Sequence, residues 1–229
     1  MTDEPWLIVD TETDGCWRPI HAVEIAAQRM RGWRRDGAPF RALLNHDVPI
    51  DPGAQAVHGY SREFLRQHGA PPLEAHAAFR EYAGDLPMVA YNLSFDWDRV
   101  LLPEYGRLGV PLAGRRGFCA LTLSRRVVRG PSNYKLDTLK RHFGLNPNSR
   151  SHHGDTDVET ITALFEQILA PTMERVGLKG FETVAAFSSH SGVARCQDYV
   201  HEARPDGHAR CDFWERQARP SRRVRRTGK

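Results

Sequence analysis

The chain has 229 residues, 40% of them apolar, and a formal net charge of +4, which allows a sizeable core and excludes a fibre or a wholly disordered chain. The charge is uneven: the last fifteen residues, Glu215 to Lys229, hold six Arg, one Lys and one Glu, so the tail carries +6 and the remainder about −2. No apolar run approaches the ~20 residues that span a bilayer, the start lacks a signal-peptide pattern, and four scattered cysteines (Cys16, Cys119, Cys196, Cys211) fit a reducing compartment, so a cytoplasmic protein with no membrane partner is expected.

Trp6 to Val9 is a continuous apolar run with a β-branched pair and reads as a short buried strand ending in Asp10-Thr11-Glu12. Val23 to Met30 and Phe40 to Leu44 read as further strands, with Trp33 to Gly37 a polar turn between them. Ser61 to Gln67 and Leu73 to Tyr82 read as helices, the second after Pro71-Pro72. Met88 to Tyr91 is a short strand, and Ser94 caps a helix to about Leu108, in which Pro103 should introduce a kink or shift the boundary. Phe118 to Leu123 suits a strand or a helix start. Leu136, Leu139 and Phe143 share a helical face that Gly144 stops. Asn146 to Gly154 is a loop, and Val158, Ile161, Phe165 and Ile168 mark an amphipathic helix with Pro171 as its stop. This order predicts an α/β domain with a mixed central sheet flanked by helices over 1–170, and a C-terminal extension with a basic tail over 171–229.

The chemistry sits at separated places. Asp10 and Glu12 leave a strand on the same face, where two carboxylates beside an apolar core suit a hard divalent cation; a solvated strand end is the other reading of such a pair. Asp96 follows a strand at the start of a helix, where α/β sites form. An acid there also simply suits the helix dipole. Asp157 opens the amphipathic helix, after a Gly-containing loop with His152 and His153, residues suited to a mobile general base.

Together these segments resemble the DEDDh, or DnaQ-like, 3′–5′ exonucleases of the ribonuclease H-like fold. Ile8-Val9-Asp10-Thr11-Glu12-Thr13-Asp14-Gly15 matches the first family motif, Ala90-Tyr91-Asn92-Leu93-Ser94-Phe95-Asp96 the second, and His152 with Asp157 five residues later the third. Ala56-Val57-His58-Gly59 and Tyr134-Lys135-Leu136-Asp137-Thr138-Leu139 are similar to lesser family signatures. The resemblance implies an enzyme with two Mg2+ (or Mn2+) held by Asp10, Glu12, Asp96 and Asp157. It also implies His152 as general base, and Thr13, His58 and Asn92 near the terminal nucleotide. Asp14 and Gly154 depart from the usual threonine and alanine, and Asp14 adds negative charge where substrate approaches.

The implied function is hydrolysis at a nucleic-acid 3′ end, with single-stranded DNA favoured over RNA and a DNA polymerase subunit as a candidate partner. An exoribonuclease and a non-catalytic binding or docking module are the competing readings. Arg115, Arg116, Arg125, Arg126 and Arg129 are candidates to track phosphates. Cys196, His201, His208 and Cys211 are of zinc-ligand type, but their spacing fits no known finger.

Overall fold

A first strand buried on both faces organises the molecule. The computed structural model describes residues 3–146 and 153–193, with Gln197 and Phe213. Strand β1, Pro5–Thr13, sends Trp6 and Ile8 into one apolar cluster and Leu7 and Val9 into the other, as the two-residue period of a strand requires. It pairs antiparallel with β2, Ala22–Arg31. On β2 lie β3, Arg34–Arg35, and β4, Phe40–Leu43. On its other side β1 runs parallel to β5, Pro87–Ala90, which pairs parallel with β6, Arg115–Cys119. The sheet is therefore mixed, in the order β3-β2-β1-β5-β6 with β4 also on β2.

Helices cover both faces. Helices α1, Pro52–His58, and α2, Arg62–His68, follow β4, and α3, Pro72–Ala83, precedes β5. Next come a π-helical stretch, Ser94–Leu101, and α4, Leu102–Leu108, which join α3 over the Leu7 and Val9 face. Helices α5, Ala120–Val127, and α6, Leu136–Phe143, are followed by α7, Gly154–Leu164, a second π-helical stretch, Phe165–Leu169, and α8, Ala170–Arg175. Helix α9, Phe181–Ser189, completes the Trp6 and Ile8 side.

The segment that the sequence sets apart from residue 171 supplies Met173, Leu178, Phe181 and Phe187 to that same core. Pro171 does not stop the helix; it sits in the first turn of α8. Pro103 occupies the same place in α4. In both helices a stretch of wider turns precedes the proline, with Leu102 N–H reaching Trp97 O and Ala170 N–H reaching Phe165 O. Widening the spiral relieves the ring's clash with the preceding turn, so the chain continues instead of breaking.

Trp33, read as part of a polar turn, is buried. It stacks on Phe165 and meets Trp6 edge-on, with centroids 6.0 and 5.7 Å apart. The Phe118 to Leu123 segment is both things the sequence allowed: the end of β6 and the start of α5. Gly144 ends α6 at φ 66°, its N–H closing on Lys140 O.

Candidate active site

Beyond Ile8 the apolar face of β1 continues as Asp10 and Glu12, since the strand runs on to Thr13. Across the ladder Asp10 faces Ala26, and Glu12 faces Glu24. A small residue at 26 leaves room for the first turn of α7. A Cβ on Gly154 would lie 3.1 Å from Ala26 Cβ and 3.3 Å from Glu24 Cδ, so glycine permits this approach. Asp157, one residue short of buried Val158, is thereby delivered to the strand. Carboxylate oxygens of Asp10, Glu12 and Asp157 all lie within 4.8 Å of one another.

Asp96, in the first turn of the π-helical stretch, is buried. Its Oδ1 accepts from the Thr11 backbone N–H at 3.0 Å and the Thr11 hydroxyl at 2.8 Å. Burial, reinforced by Asp96, Asp157, Glu12 and Glu24, raises the Asp10 carboxyl well above its usual range. Burial and the same acidic neighbours push Glu12 up to about 8. Burial pushes Asp96 to about 7 against the two Thr11 hydrogen bonds. Among the described residues none of Asp10, Glu12 and Asp96 forms a salt bridge. Closely set carboxylates of which Asp10, Glu12 and Asp96 resist ionising fit a hard divalent metal, whose charge would favour their ionised form.

His152 lies outside the described residues, as do Cys196, His201, His208, Cys211 and the basic tail. His153 is described, and its Nδ1 lies 2.9 Å from the Tyr60 hydroxyl. Thr13 is buried, with its hydroxyl donating to Gly15 O at 2.9 Å. His58 is buried too: its Nε2 meets Thr13 O at 3.2 Å and its Nδ1 accepts from Tyr60 N–H at 3.0 Å. Burial holds the His58 ring below its usual pKa. Asn92 is exposed beside Asp96 and accepts from the Ser94 hydroxyl at 3.1 Å, so Ser94 does not act as the helix cap.

Other expectations are redirected by pairing. Asp14 does not present a free charge, because both its oxygens turn to His21, one to the backbone N–H at 2.9 Å and one to the ring at 2.7 Å. Arg115 pairs with Glu182 and Arg116 with Asp98, while Arg126 is buried and donates to Phe187 O. Arg125, by contrast, lines a cavity of about 500 Å3 with Tyr91, Tyr134, Lys135 and Asp157.

Sequence reasoning missed Glu24, Arg41 and Tyr60. Glu24 is fully buried on the carboxylate face. It takes Arg41 Nε at 2.6 Å, Tyr60 OH at 2.9 Å and Gly154 N–H at 3.0 Å. The signal was present in Val23-Glu24-Ile25-Ala26-Ala27, where an acid interrupts an otherwise apolar strand.

Comparison with known proteins agrees with this geometry. The sequence model of the RNase T exonuclease family matches residues 7–165. The DNA polymerase III subunit epsilon of Salmonella typhimurium is 28% identical over 203 residues, covering 83% of this chain and 78% of that protein. A PolC-type DNA polymerase III of Latilactobacillus sakei is 29% identical over 205 residues, 87% of this chain but 13% of that protein. Among solved structures, exonuclease X in complex with 5′ overhanging duplex DNA superposes with a TM-score of 0.60 at 26% identity, covering 80% of this chain and 99% of that one. Exonuclease I of E. coli with a dT13 oligonucleotide, at 20% identity and a TM-score of 0.64 over 76% of this chain and 43% of that one, shares the ribonuclease H-like fold.

Proposed function

The chain belongs to the exonuclease family, in its DnaQ-like branch, and from that premise we propose that it removes nucleotides one at a time from the 3′ end of single-stranded DNA. The observation that carries this reading is the convergence of Asp10, Glu12 and Asp157 oxygens within 4.8 Å at the end of the central strand. Asp10, Glu12 and Asp157 would hold one Mg2+ or Mn2+, and Asp10 with Asp96 a second. When bound, such cations supply the charge that stabilises the attacking and leaving oxygens.

The chain's own groups do the rest. His152 takes a proton from the attacking water, for which an imidazole titrating near ~6.5 is suited. The water oxygen bonds to phosphorus as the bond to the 3′ oxygen of the shortened strand breaks. His153, engaged by Tyr60, supports assigning the base to His152. Thr13, His58 and Asn92 shape the place of the terminal nucleotide. Thr13 and His58 are buried and act through the backbone they fix, whereas Asn92 is exposed and can reach substrate.

DNA is favoured because the relatives are DNA polymerase III subunits by name and a structural neighbour was solved with DNA. The same relatives support a DNA polymerase as partner and the cytoplasm as location. Competing DNA and RNA oligonucleotides of one sequence, digested together, test the substrate. Faster loss of DNA agrees with the proposal, and faster loss of RNA overturns it.

A further inference from the structure

Glu24 is an acid on the same face as Asp10 and Glu12, yet it does not belong to the group that converges for a cation. Its carboxylate is already committed. Arg41 Nε lies 2.6 Å from Oε1, while Tyr60 OH and Gly154 N–H lie 2.9 and 3.0 Å from Oε2. Arg41 also reaches the Tyr60 hydroxyl at 2.9 Å and Asp155 at 3.6 Å. Tyr60 meets His153 Nδ1 at 2.9 Å and is fixed between His58 and Phe64 rings, with centroids 5.1 and 5.5 Å away. A single buried carboxylate thus joins β2, β4, the turn after α1 and the first turn of α7.

We infer that Glu24, with Tyr60, is a positioning unit. It fixes the N-terminus of α7 and His153 just before it, and so sets where Asp157 meets the substrate. The inference rests on the nuclease reading and names residues outside its metal ligands and base. Gly154 N–H is one of the helix-end donors that no turn of α7 can satisfy, and Glu24 satisfies it from the sheet. Asp157 lies in that same first turn. The helix therefore docks by its end, at the point where its position matters most. A Cβ at residue 154 would meet Ala26 Cβ at 3.1 Å and Glu24 Cδ at 3.3 Å, so glycine allows the helix end to sit this close to the sheet. His153, immediately before the helix, is held by the Tyr60 hydroxyl.

Tyr60→Phe keeps the ring and every charge while removing the hydroxyl that links Glu24 to His153. It should lower kcat on the order of tenfold with KM and Mn2+ binding held, as loss of an orienting partner does. Glu24→Gln should lower kcat further, and Glu24→Ala further still. Both should speed hydrogen exchange at the Gly154 amide without affecting the later turns of α7. The double variant Glu24→Gln with Tyr60→Phe should lose less than the product of the two single effects, because the groups act as one unit. An unchanged kcat in Tyr60→Phe, a loss confined to KM, or unchanged Gly154 exchange in Glu24→Gln would overturn the inference. Mn2+ binding abolished in Glu24→Gln would make Glu24 a ligand and overturn it too. A wild-type protein that cleaves while these variants cleave equally well sinks this inference alone. A wild-type protein that cleaves nothing sinks the nuclease reading with it.

Discussion

The backbone N–H and the hydroxyl of Thr11 donate to the same oxygen of Asp96, at 3.0 and 2.8 Å. Thr11 lies on β1 between Asp10 and Glu12, so one residue holds the acid of the π-helical stretch after β5 against the strand that carries the other two. Thr11→Val keeps the shape and the backbone bond but removes the hydroxyl donor. A buried hydrogen bond contributes about 0.5–1.5 kcal/mol, and more when the acceptor is ionised. Thr11→Val should therefore unfold at lower denaturant and should also lower activity. Denaturation and kcat measured on the same sample test both.

The acidic cluster makes stability depend on cation and pH together. The Glu12 and Asp96 carboxyls, pushed up to about 8 and about 7 by burial, hold protons in the folded state that the unfolded chain has released. Stability from those protons is present below the usual carboxylate range and is lost as pH rises through about 7 to 8. A cation that replaces the protons removes the loss. The thermal shift between chelator and Mg2+ should thus be larger at pH 8.5 than at pH 6, and Mg2+ binding at pH 7 should release protons. Calorimetry in buffers of different ionisation enthalpy reads the release.

Glu104 makes the opposite contribution. Burial alone would raise its carboxyl, but the close approach of the His46 and His76 rings and a hydrogen bond from the Ala22 N–H outweigh that and hold it down at about 2. His46 Nε2 and His76 Nε2 lie 2.7 and 3.1 Å from Oε1, and the Ala22 N–H 2.8 Å from Oε2. A depressed carboxyl stabilises the fold above its usual pKa and loses that contribution as pH falls toward about 2. The contribution is on the order of 3 kcal/mol. The stability gap between wild type and Glu104→Gln should be wide at pH 7 and should shrink by more than half at pH 3.

Trp6 anchors the core beneath the site. Its ring meets Phe165 at 4.9 Å, Trp33 at 5.7 Å and Phe181 at 5.9 Å, and it is fully buried. Trp6→Ala should cost about 3–5 kcal/mol by loss of burial and the cavity left behind. Equilibrium denaturation checks the value.

Local chemistry was legible in the sequence, and long-range pairing was not. The two-residue spacing of Asp10 and Glu12 dictates their common face whatever the fold, and Gly144 stops α6 by local backbone geometry alone. Asp51-Pro52 was an unread helix start: Asp51 caps Gly53 and Ala54 N–H at the head of α1. Pro103 marks a change of element at Leu102, as a proline there predicts, whereas Pro171 misled, because the widened turn before it depends on packing that one sequence does not display. Arg115 and Arg116 looked like free cations because their partners, Glu182 and Asp98, lie 67 and 18 residues away. Glu24 took meaning only when α7 folded back onto β2, 130 residues later.

The central claim is that the Asp10, Glu12, Asp96 and Asp157 cluster drives cation-dependent removal of nucleotides from a 3′ end. The most direct measurement follows a 5′-labelled DNA strand with wild type and Asp10→Ala, in Mg2+, in Mn2+ and in chelator. A ladder shortening from the 3′ end is expected with either cation, with none in chelator and none with Asp10→Ala. Equal cleavage by Asp10→Ala and wild type, or a ladder that persists in chelator, would contradict it.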